Sequence, residues 1–155
     1  MSRKMYWTKH RGAIVKGGMD GSNVAIIFSG LRRPGGIIYD SGSSRLYWTD
    51  EDTLTIQSSD TEGRGLATIA TLPSSPFGIA LYADRFYWGS YGSSTVKTVS
   101  TSGADIKTVY TASGNIRGFA KPVWNPPTNR ENHCERHSCS RVCVLTPGNS
   151  SRCLS

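Results

Sequence analysis

The chain has 155 residues, which is enough for one ordinary domain with a small appendage. A hydrophobic content of 37% with 17 glycines is typical of a turn-rich all-β protein and excludes a disordered chain. No run of about 18 apolar residues is present and the first residues lack the apolar segment of a signal peptide, so the sequence predicts neither a membrane span nor a signal sequence within this chain.

Three short β-favouring runs open the chain, near residues 4–8, 13–16 and 24–28. The connection at residues 19–22 contains Asp20-Gly21, a pair that favours a tight hairpin turn. This first group lacks an innermost strand, so the sequence predicts an incomplete sheet.

Two groups of four runs follow, with glycine or serine clusters between most of the runs. Alternation places Leu46 and Trp48 on one strand face and Tyr47 and Thr49 on the other. In the next predicted strand, which begins at Leu54, it places Leu54 and Ile56 on the same face. No segment has helical periodicity. The predicted strands are residues 36–40, 45–49, 54–58 and 66–70, then 78–82, 85–89, 95–99 and 106–110.

The three groups form an internal repeat. Trp7, Trp48 and Trp88 are about 41 and 40 residues apart, and each follows a tyrosine: Tyr6, Tyr47 and Tyr87. A period near forty indicates four-stranded propeller blades. We expect the tryptophans to pack in the core or between blades, with ligand stacking as the other interpretation. Further landmarks in register are Gly21, Gly63 and Gly103, and the segments 34–37 and 76–79.

The C-terminal part has a different composition. After the third group the pattern restarts at residues 115–119, and Pro126-Pro127 then ends any sheet pairing, so we place a boundary near Asn125. All four cysteines lie in the last 22 residues, which favours disulfides in an oxidising compartment and leaves three pairings open. Zinc is the competing interpretation because His133 and His137 lie among them, but no Cys-x2-Cys pair is present.

Arg45 to Asp50 reads R-L-Y-W-T-D, and with the other landmarks it resembles the YWTD repeats of the low-density-lipoprotein-receptor family. In that family six blades close into a propeller followed by an EGF-like module. The resemblance implies an all-β fold: residues 1–124 as about three four-stranded antiparallel blades of a partial six-bladed propeller, and residues 125–155 as a linker and truncated EGF-like domain. Lys9 and Gly89-Ser90 depart from the motif, so full polar anchoring by Thr and Asp is not predicted there.

The resemblance also implies how the cysteines pair. In an EGF-like domain Cys134 would pair with Cys143, and Cys139 with Cys153. Calcium is not expected, because His133 stands where calcium-binding EGF modules carry a carboxylate or amide. Asn149 begins a glycosylation sequon that is usable if the chain is secreted.

The formal charge of +7 suggests affinity for polyanions. The interpretations left open are a solvated surface and a site for heparan sulfate or an acidic ligand; nucleic acid is not expected, because no recognisable nucleic-acid module is present. The crowded basic residues are Arg3, Lys4, Lys9, Arg11 and Lys16, followed by Arg32 and Arg33.

No hydrolase, metalloprotease, P-loop or dinucleotide motif is present, so we predict a chain that is not an enzyme and needs no cofactor or metal. The resemblance implies an extracellular ligand-binding module of a lipoprotein-receptor-related receptor, of endocytic or Wnt co-receptor type, from a single-pass parent protein. Its ligand would be a secreted protein such as a lipoprotein, a Wnt-type factor or an antagonist. The candidate ligand surface is Arg32, Arg33 and Tyr91. The alternatives are a nidogen-like basement-membrane linker and a propeller enzyme that holds an axial metal.

Overall fold

The computed structural model describes residues 4–90 and 92–114, and the backbone of residues 142–146 and 150–154. The chain divides into two compact units, Met1–Lys121 and Pro122–Ser155. The strand predicted at 115–119, the boundary near Asn125, and the site residues Tyr91, Cys134, Cys139 and Asn149 lie outside the described residues.

The first unit contains three antiparallel sheets, which we call blades 1, 2 and 3, with strands in the orders β1-β2-β3, β4-β5-β6-β7 and β11-β10-β9-β8. The predicted all-β class is confirmed, and the described residues contain no helix. Blade 1 has three strands, as predicted. The strands are β1 (Lys4–Lys9), β2 (Ala13–Gly18), β3 (Ala25–Phe28), β4 (Pro34–Asp40), β5 (Arg45–Asp50), β6 (Thr55–Asp60), β7 (Ala67–Thr71), β8 (Pro76–Tyr82), β9 (Arg85–Ser90), β10 (Thr95–Ser100) and β11 (Lys107–Thr111).

Four predicted strands begin a residue too early: those predicted from residues 24, 54, 66 and 106 begin at Ala25, Thr55, Ala67 and Lys107. The strand β6 begins at Thr55, not at Leu54, because Leu54 has φ 55° and ends the preceding turn in a left-handed conformation. Alternation along this strand therefore starts at Thr55, and Ile56 is fully buried while Leu54 is only partly buried.

The apolar core lies between successive blades. Leu46 and Trp48 pack with Ile14 of blade 1, and Phe28 contacts Trp48 with ring centroids 5.5 Å apart. On the opposite face of the same strand, Tyr47 packs against blade 3. The predicted division of β5 into two apolar faces is confirmed. Each aromatic contact of this kind stabilises the blade pair by about 0.5–1.5 kcal/mol beyond area burial.

A second apolar core lies between blades 2 and 3 and contains Trp88. Tyr47 lies 4.9 Å from Phe86 between ring centroids, in a cluster that includes Ile56, Trp88 and Val99. Trp48 and Trp88 are completely buried, whereas Trp7 in blade 1 is half-buried. The two tryptophans whose blades follow another blade are therefore core residues in this structure.

The repeated glycines lie in equivalent hairpin turns, one in each blade. Gly21, Gly63 and Gly103 have φ values of 82°, 85° and 84°. A Cβ atom at Gly63 would come within 2.9 Å of the Ile27 carbonyl oxygen, and one at Gly103 would overlap the carbonyl oxygen of Ile69. Glycine is required at these positions of blades 2 and 3 because the turn needs a positive φ and lies directly against the preceding blade.

The second unit contains one antiparallel hairpin among its described residues, β12 (Val142–Thr146) and β13 (Ser150–Leu154). Its register places the Cα atoms of Cys143 and Cys153 opposite each other. This hairpin does not by itself establish an EGF-like domain.

Candidate ligand-binding surface

The innermost strands of blades 2 and 3, β4 and β8, lie side by side, and β1 of blade 1 lies against β4. Small residues permit this approach: a Cβ atom at Gly36 would lie 2.9 Å from the Ile79 nitrogen and 3.1 Å from the Gly78 Cα atom. The glycines that repeat in the inner strands are therefore explained by close backbone contact between blades 2 and 3.

A cavity of about 490 Å³ opens where β4 and β8 begin and β1 ends, and we call it the inner-strand cavity. Ile37, Phe77 and Ile79 contribute apolar surface to it, and His10 and Glu51 are the titratable residues in its lining. Its size falls within the range of small-molecule and side-chain binding pockets. The cavity can therefore accept a side chain that has both apolar and polar parts.

Glu51 is held rigidly in the wall of this cavity. Its side chain is only 9% exposed, and its Oε2 atom lies 3.2 Å from Nε of Arg33. The Glu51 backbone nitrogen donates to the Arg33 carbonyl oxygen at 2.9 Å, and Ser75 Oγ donates to the Glu51 carbonyl oxygen at 3.2 Å. The carboxylate is thus compensated by one guanidinium group and held by neighbouring backbone.

Asp50 fastens the loop that carries Glu51. It is 1% exposed, and its carboxylate accepts hydrogen bonds from the backbone nitrogens of Arg33, Asp52 and Thr53 at 3.2, 3.2 and 3.0 Å. A buried carboxylate is tolerated when backbone donors satisfy it in this way. Asp50 therefore joins the start of β4 to the turn after β5.

The anchoring is only partly lost in blades 1 and 3. Thr8 Oγ1 donates to the Gly35 carbonyl oxygen of blade 2 at 2.7 Å. In blade 2 Thr49 Oγ1 lies 3.4 Å from the equivalent carbonyl oxygen, that of Phe77 in blade 3. In blade 3, Ser90 occupies the Asp50 position, and its Oγ lies 2.6 Å from Oγ of Ser74, which lies just before β8.

Two arginine clamps were not predicted from the sequence. Arg45 Nη2 donates to the Gly65 carbonyl oxygen at 2.7 Å and to Ser58 Oγ at 2.9 Å. Arg85 makes the same pair of bonds in blade 3, from Nη2 to the Asp105 carbonyl oxygen at 2.6 Å and from Nε to Thr98 Oγ1 at 3.0 Å. The available signal was an arginine three residues before each of the last two repeat tryptophans.

The candidate ligand residues lie in different surroundings. Arg33 reaches the cavity wall through its contact with Glu51, while Arg32 is exposed beside it. Within residues 4–90 and 92–114, no three His, Cys, Asp or Glu side chains group to hold a metal ion. In the same part of the chain no helix is long and apolar enough to cross a bilayer.

Comparison with known proteins gives two kinds of similarity. The chain is 26% identical to the vitellogenin receptor Yl of Drosophila melanogaster over 147 residues, which are 91% of this chain and 7% of that protein. It is 29% identical to the human low-density lipoprotein receptor-related protein 5 over 141 residues, or 87% of this chain and 8% of that protein. No protein-family model matches the chain.

The fold is similar to that of a chain in the crystal structure of a nidogen/laminin complex, with a TM-score of 0.67 and 20% identity. The match covers 76% of this chain and 48% of that one. At this identity the likeness shows the fold alone.

These similarities confirm the resemblance to the low-density-lipoprotein-receptor family, the partial propeller and the prediction that the chain is not an enzyme. The chain spans less than a tenth of the length of the curated relatives it matches.

Proposed function

We propose that this chain is a ligand-binding module in the ectodomain of a cell-surface receptor related to the low-density lipoprotein receptor. The observation that carries the proposal is the similarity to two such receptors over about nine-tenths of the chain. The receptor is of endocytic or Wnt co-receptor type, and its ligand is a secreted protein.

The ligand binds at the inner-strand cavity, with Arg32 and Arg33 beside Glu51 of its wall. Tyr91 is a further candidate ligand contact on the sequence alone. The apolar lining from Ile37 and Phe77 accepts an apolar side chain, while His10 and the compensated Glu51 offer polar contacts. Because packing already holds Ile37, and contacts with Arg33 and Ser75 already hold Glu51, these two residues lose little conformational entropy on binding. The module thus acts by rigid display.

In the same proposal, residues 1–124 form the propeller part and residues 125–155 form a linker and a truncated EGF-like domain outside the cell. Cys134 pairs with Cys143, Cys139 pairs with Cys153, and Asn149 is glycosylated. Peptide mapping without reduction tests the pairing: a peptide that joins Cys143 to Cys153, the residues opposed in the hairpin, would contradict it.

A nidogen-like matrix linker is the less favoured function. Nidogen is similar in fold at 20% identity, whereas the receptors are similar in sequence over most of the chain. A membrane-spanning segment after this region of the parent protein would support the receptor, and a matrix protein would lack it.

The experiment that tests the function measures binding of the secreted 155-residue chain to purified low-density lipoprotein, a yolk lipoprotein and a secreted Wnt antagonist. We expect one of them to bind, and we expect His10→Ala and Arg33→Gln each to weaken that binding by about tenfold. Arg64→Gln is the matched control, since Arg64 lies on the exposed turn after β6, outside the cavity lining. Absence of binding by all three, or equal losses in all variants, would refute the proposal.

A further inference from the structure

Charge is divided unevenly between the blades. Residues 4–33 contain six lysines and arginines and one acidic residue, whereas residues 34–114 contain five basic and eight acidic residues. The formal charges are therefore +5 for the first segment, which includes blade 1, and −3 for the second, which includes blades 2 and 3. Such a division concentrates positive potential on one part of the unit.

Two backbone segments bring part of this charge together. The Gly12 nitrogen donates to the Lys9 carbonyl oxygen at 2.9 Å, which closes the turn between β1 and β2. The Leu31 nitrogen donates to the Gly12 carbonyl oxygen at 2.9 Å, so the segment that continues into Arg32 lies against this turn. Gly12 permits the contact, because a Cβ atom there would overlap the Leu31 carbonyl oxygen.

Other cations of the first unit have partners that reduce their availability. Lys16 pairs with Glu62, and Arg33 pairs with Glu51. In blades 2 and 3, Arg64 pairs with Asp60, and Arg85 and Lys107 pair with Asp105.

Three cations at the turn and the adjoining segment differ from these. Lys9, Arg11 and Arg32 are exposed and make no ion pair within the described part of the chain. The acidic residues that contact the segment of Arg32 are already engaged, Glu51 by the guanidinium group of Arg33 and Asp50 by three backbone nitrogens. We call Lys9, Arg11 and Arg32 the basic patch.

We propose that the basic patch binds a sulfated polysaccharide of the heparan sulfate type. Arginine suits this ligand because its planar guanidinium group donates two parallel hydrogen bonds to one oxyanion group. An exposed patch of unpaired cations attracts a flexible polyanion from solution, and added salt weakens that attraction. The patch shares Arg32 with the proposed protein-ligand surface, but polysaccharide binding does not require the protein ligand.

The test is binding of the intact chain to a heparin-derived dodecasaccharide at several NaCl concentrations. The variant Arg11→Ser/Arg32→Ser is compared with Arg64→Ser/Lys107→Ser, which removes the same charge from blades 2 and 3. We expect the first variant to raise Kd by at least about tenfold and the second by less than about threefold, because only the first removes charge-assisted hydrogen bonds to sulfate. Equal losses would show a net-charge effect and overturn the proposal.

Two further measurements identify the ligand class and avoid any effect of misfolded variants. Desulfated heparin or a DNA duplex binding as tightly as the dodecasaccharide at the same salt would overturn the assignment to a sulfated polysaccharide. In the unaltered chain, the dodecasaccharide should slow phenylglyoxal modification of Arg11 and Arg32 but not of Arg64. Equal protection of all three would also overturn it. These outcomes are independent of protein-ligand binding and of the His10→Ala and Arg33→Gln variants.

Discussion

Blades 2 and 3 have the same four-stranded order, yet their equivalent residues lie in different surroundings. Tyr47 and Ala70 of blade 2 are 9% and 5% exposed because blade 3 covers them. Tyr110 occupies the Ala70 position, opposite Val96 as Ala70 is opposite Ile56, and it is 60% exposed. Burial at a repeat position therefore depends on whether a neighbouring blade packs there.

The polar groups of the two blades differ for a second reason, which is the residue type itself. Trp48 Nε1 donates to Gln57 Oε1 at 3.0 Å. Lys97 occupies the Gln57 position of blade 3 and offers no acceptor, and Trp88 Nε1 is buried without a hydrogen-bond partner. Among the described residues, the indole nitrogen of the repeat tryptophan thus has a hydrogen-bond acceptor in blade 2 and none in blade 3.

The largest expected effect concerns the buried carboxylate of blade 2. Asp50→Ala removes the acceptor of three backbone nitrogens, so we expect a loss of about 3 kcal/mol in the free energy of unfolding. Ser90→Ala, at the same position of blade 3, should cost about 1 kcal/mol because one hydroxyl contact is lost. Urea unfolding measures both. Equal losses would mean that Asp50 does not anchor blade 2 more strongly.

A glycine substitution separates backbone strain from contact between blades. Gly103→Ala should destabilise by about 2 kcal/mol or more, since its φ is 84° and a Cβ atom would overlap the Ile69 carbonyl oxygen. Gly21→Ala is the control: its φ is 82°, but nothing lies within 4 Å of the added carbon, so about 1 kcal/mol is expected. Thermal unfolding that gives the same loss for both would exclude a packing contribution.

Restoring the acceptor in blade 3 should stabilise it. Lys97→Gln is expected to raise the free energy of unfolding by about 1 kcal/mol, because a glutamine Oε1 can accept from Trp88 Nε1 as Gln57 does from Trp48. The reciprocal change, Gln57→Lys, should lower stability by a similar amount. Chemical denaturation provides both free energies of unfolding. A destabilised Lys97→Gln variant would show that the missing acceptor for Trp88 Nε1 does not limit the stability of blade 3.

The smallest effect is a pH dependence at the turn after β6 of blade 2. A backbone hydrogen bond from Arg64, aided by its side chain, lowers the pKa of Asp60 from 3.8 to about 2. Because the folded state has the lower pKa, Asp60 contributes stability above pH 4, and this contribution is lost as pH falls towards 2. Ser100 occupies the same turn position of blade 3 and does not titrate in this range; its hydroxyl accepts from the Ala104 nitrogen at 3.0 Å.

Comparing unfolding at pH 6 and pH 2.5 tests this difference. The loss of stability on acidification should be smaller in Asp60→Asn than in the unaltered chain, and Ser100→Ala should leave it unchanged. An identical acid sensitivity in Asp60→Asn would contradict the assignment.

Much of the fold could be predicted because each blade packs in a similar way and therefore uses similar residues at the same repeat positions. The spacing of Trp48 and Trp88 and the turn glycines Gly63 and Gly103 predicted the blades, and each strand bound to within two residues. At Leu54 the predicted start was a residue too early because a leucine gives no sign of a left-handed turn conformation. The arginine clamps could not be predicted, since Arg45 contacts Ser58 and Gly65, which are 13 and 20 positions away. The cavity could not be predicted either, since its lining comes from separate segments between Thr8 and Ile79.

The sequence by itself determined the all-β class, the three-blade repeat and the two faces of β5, because alternation and period act locally along each strand. Only the tertiary structure decided that Arg33 pairs with Glu51 while Arg32 stays free of ion pairs, and that Trp88 lacks the acceptor that Trp48 has. The physical reason is that charge compensation and hydrogen-bond satisfaction depend on which atoms of separate segments come within about 3 Å of each other.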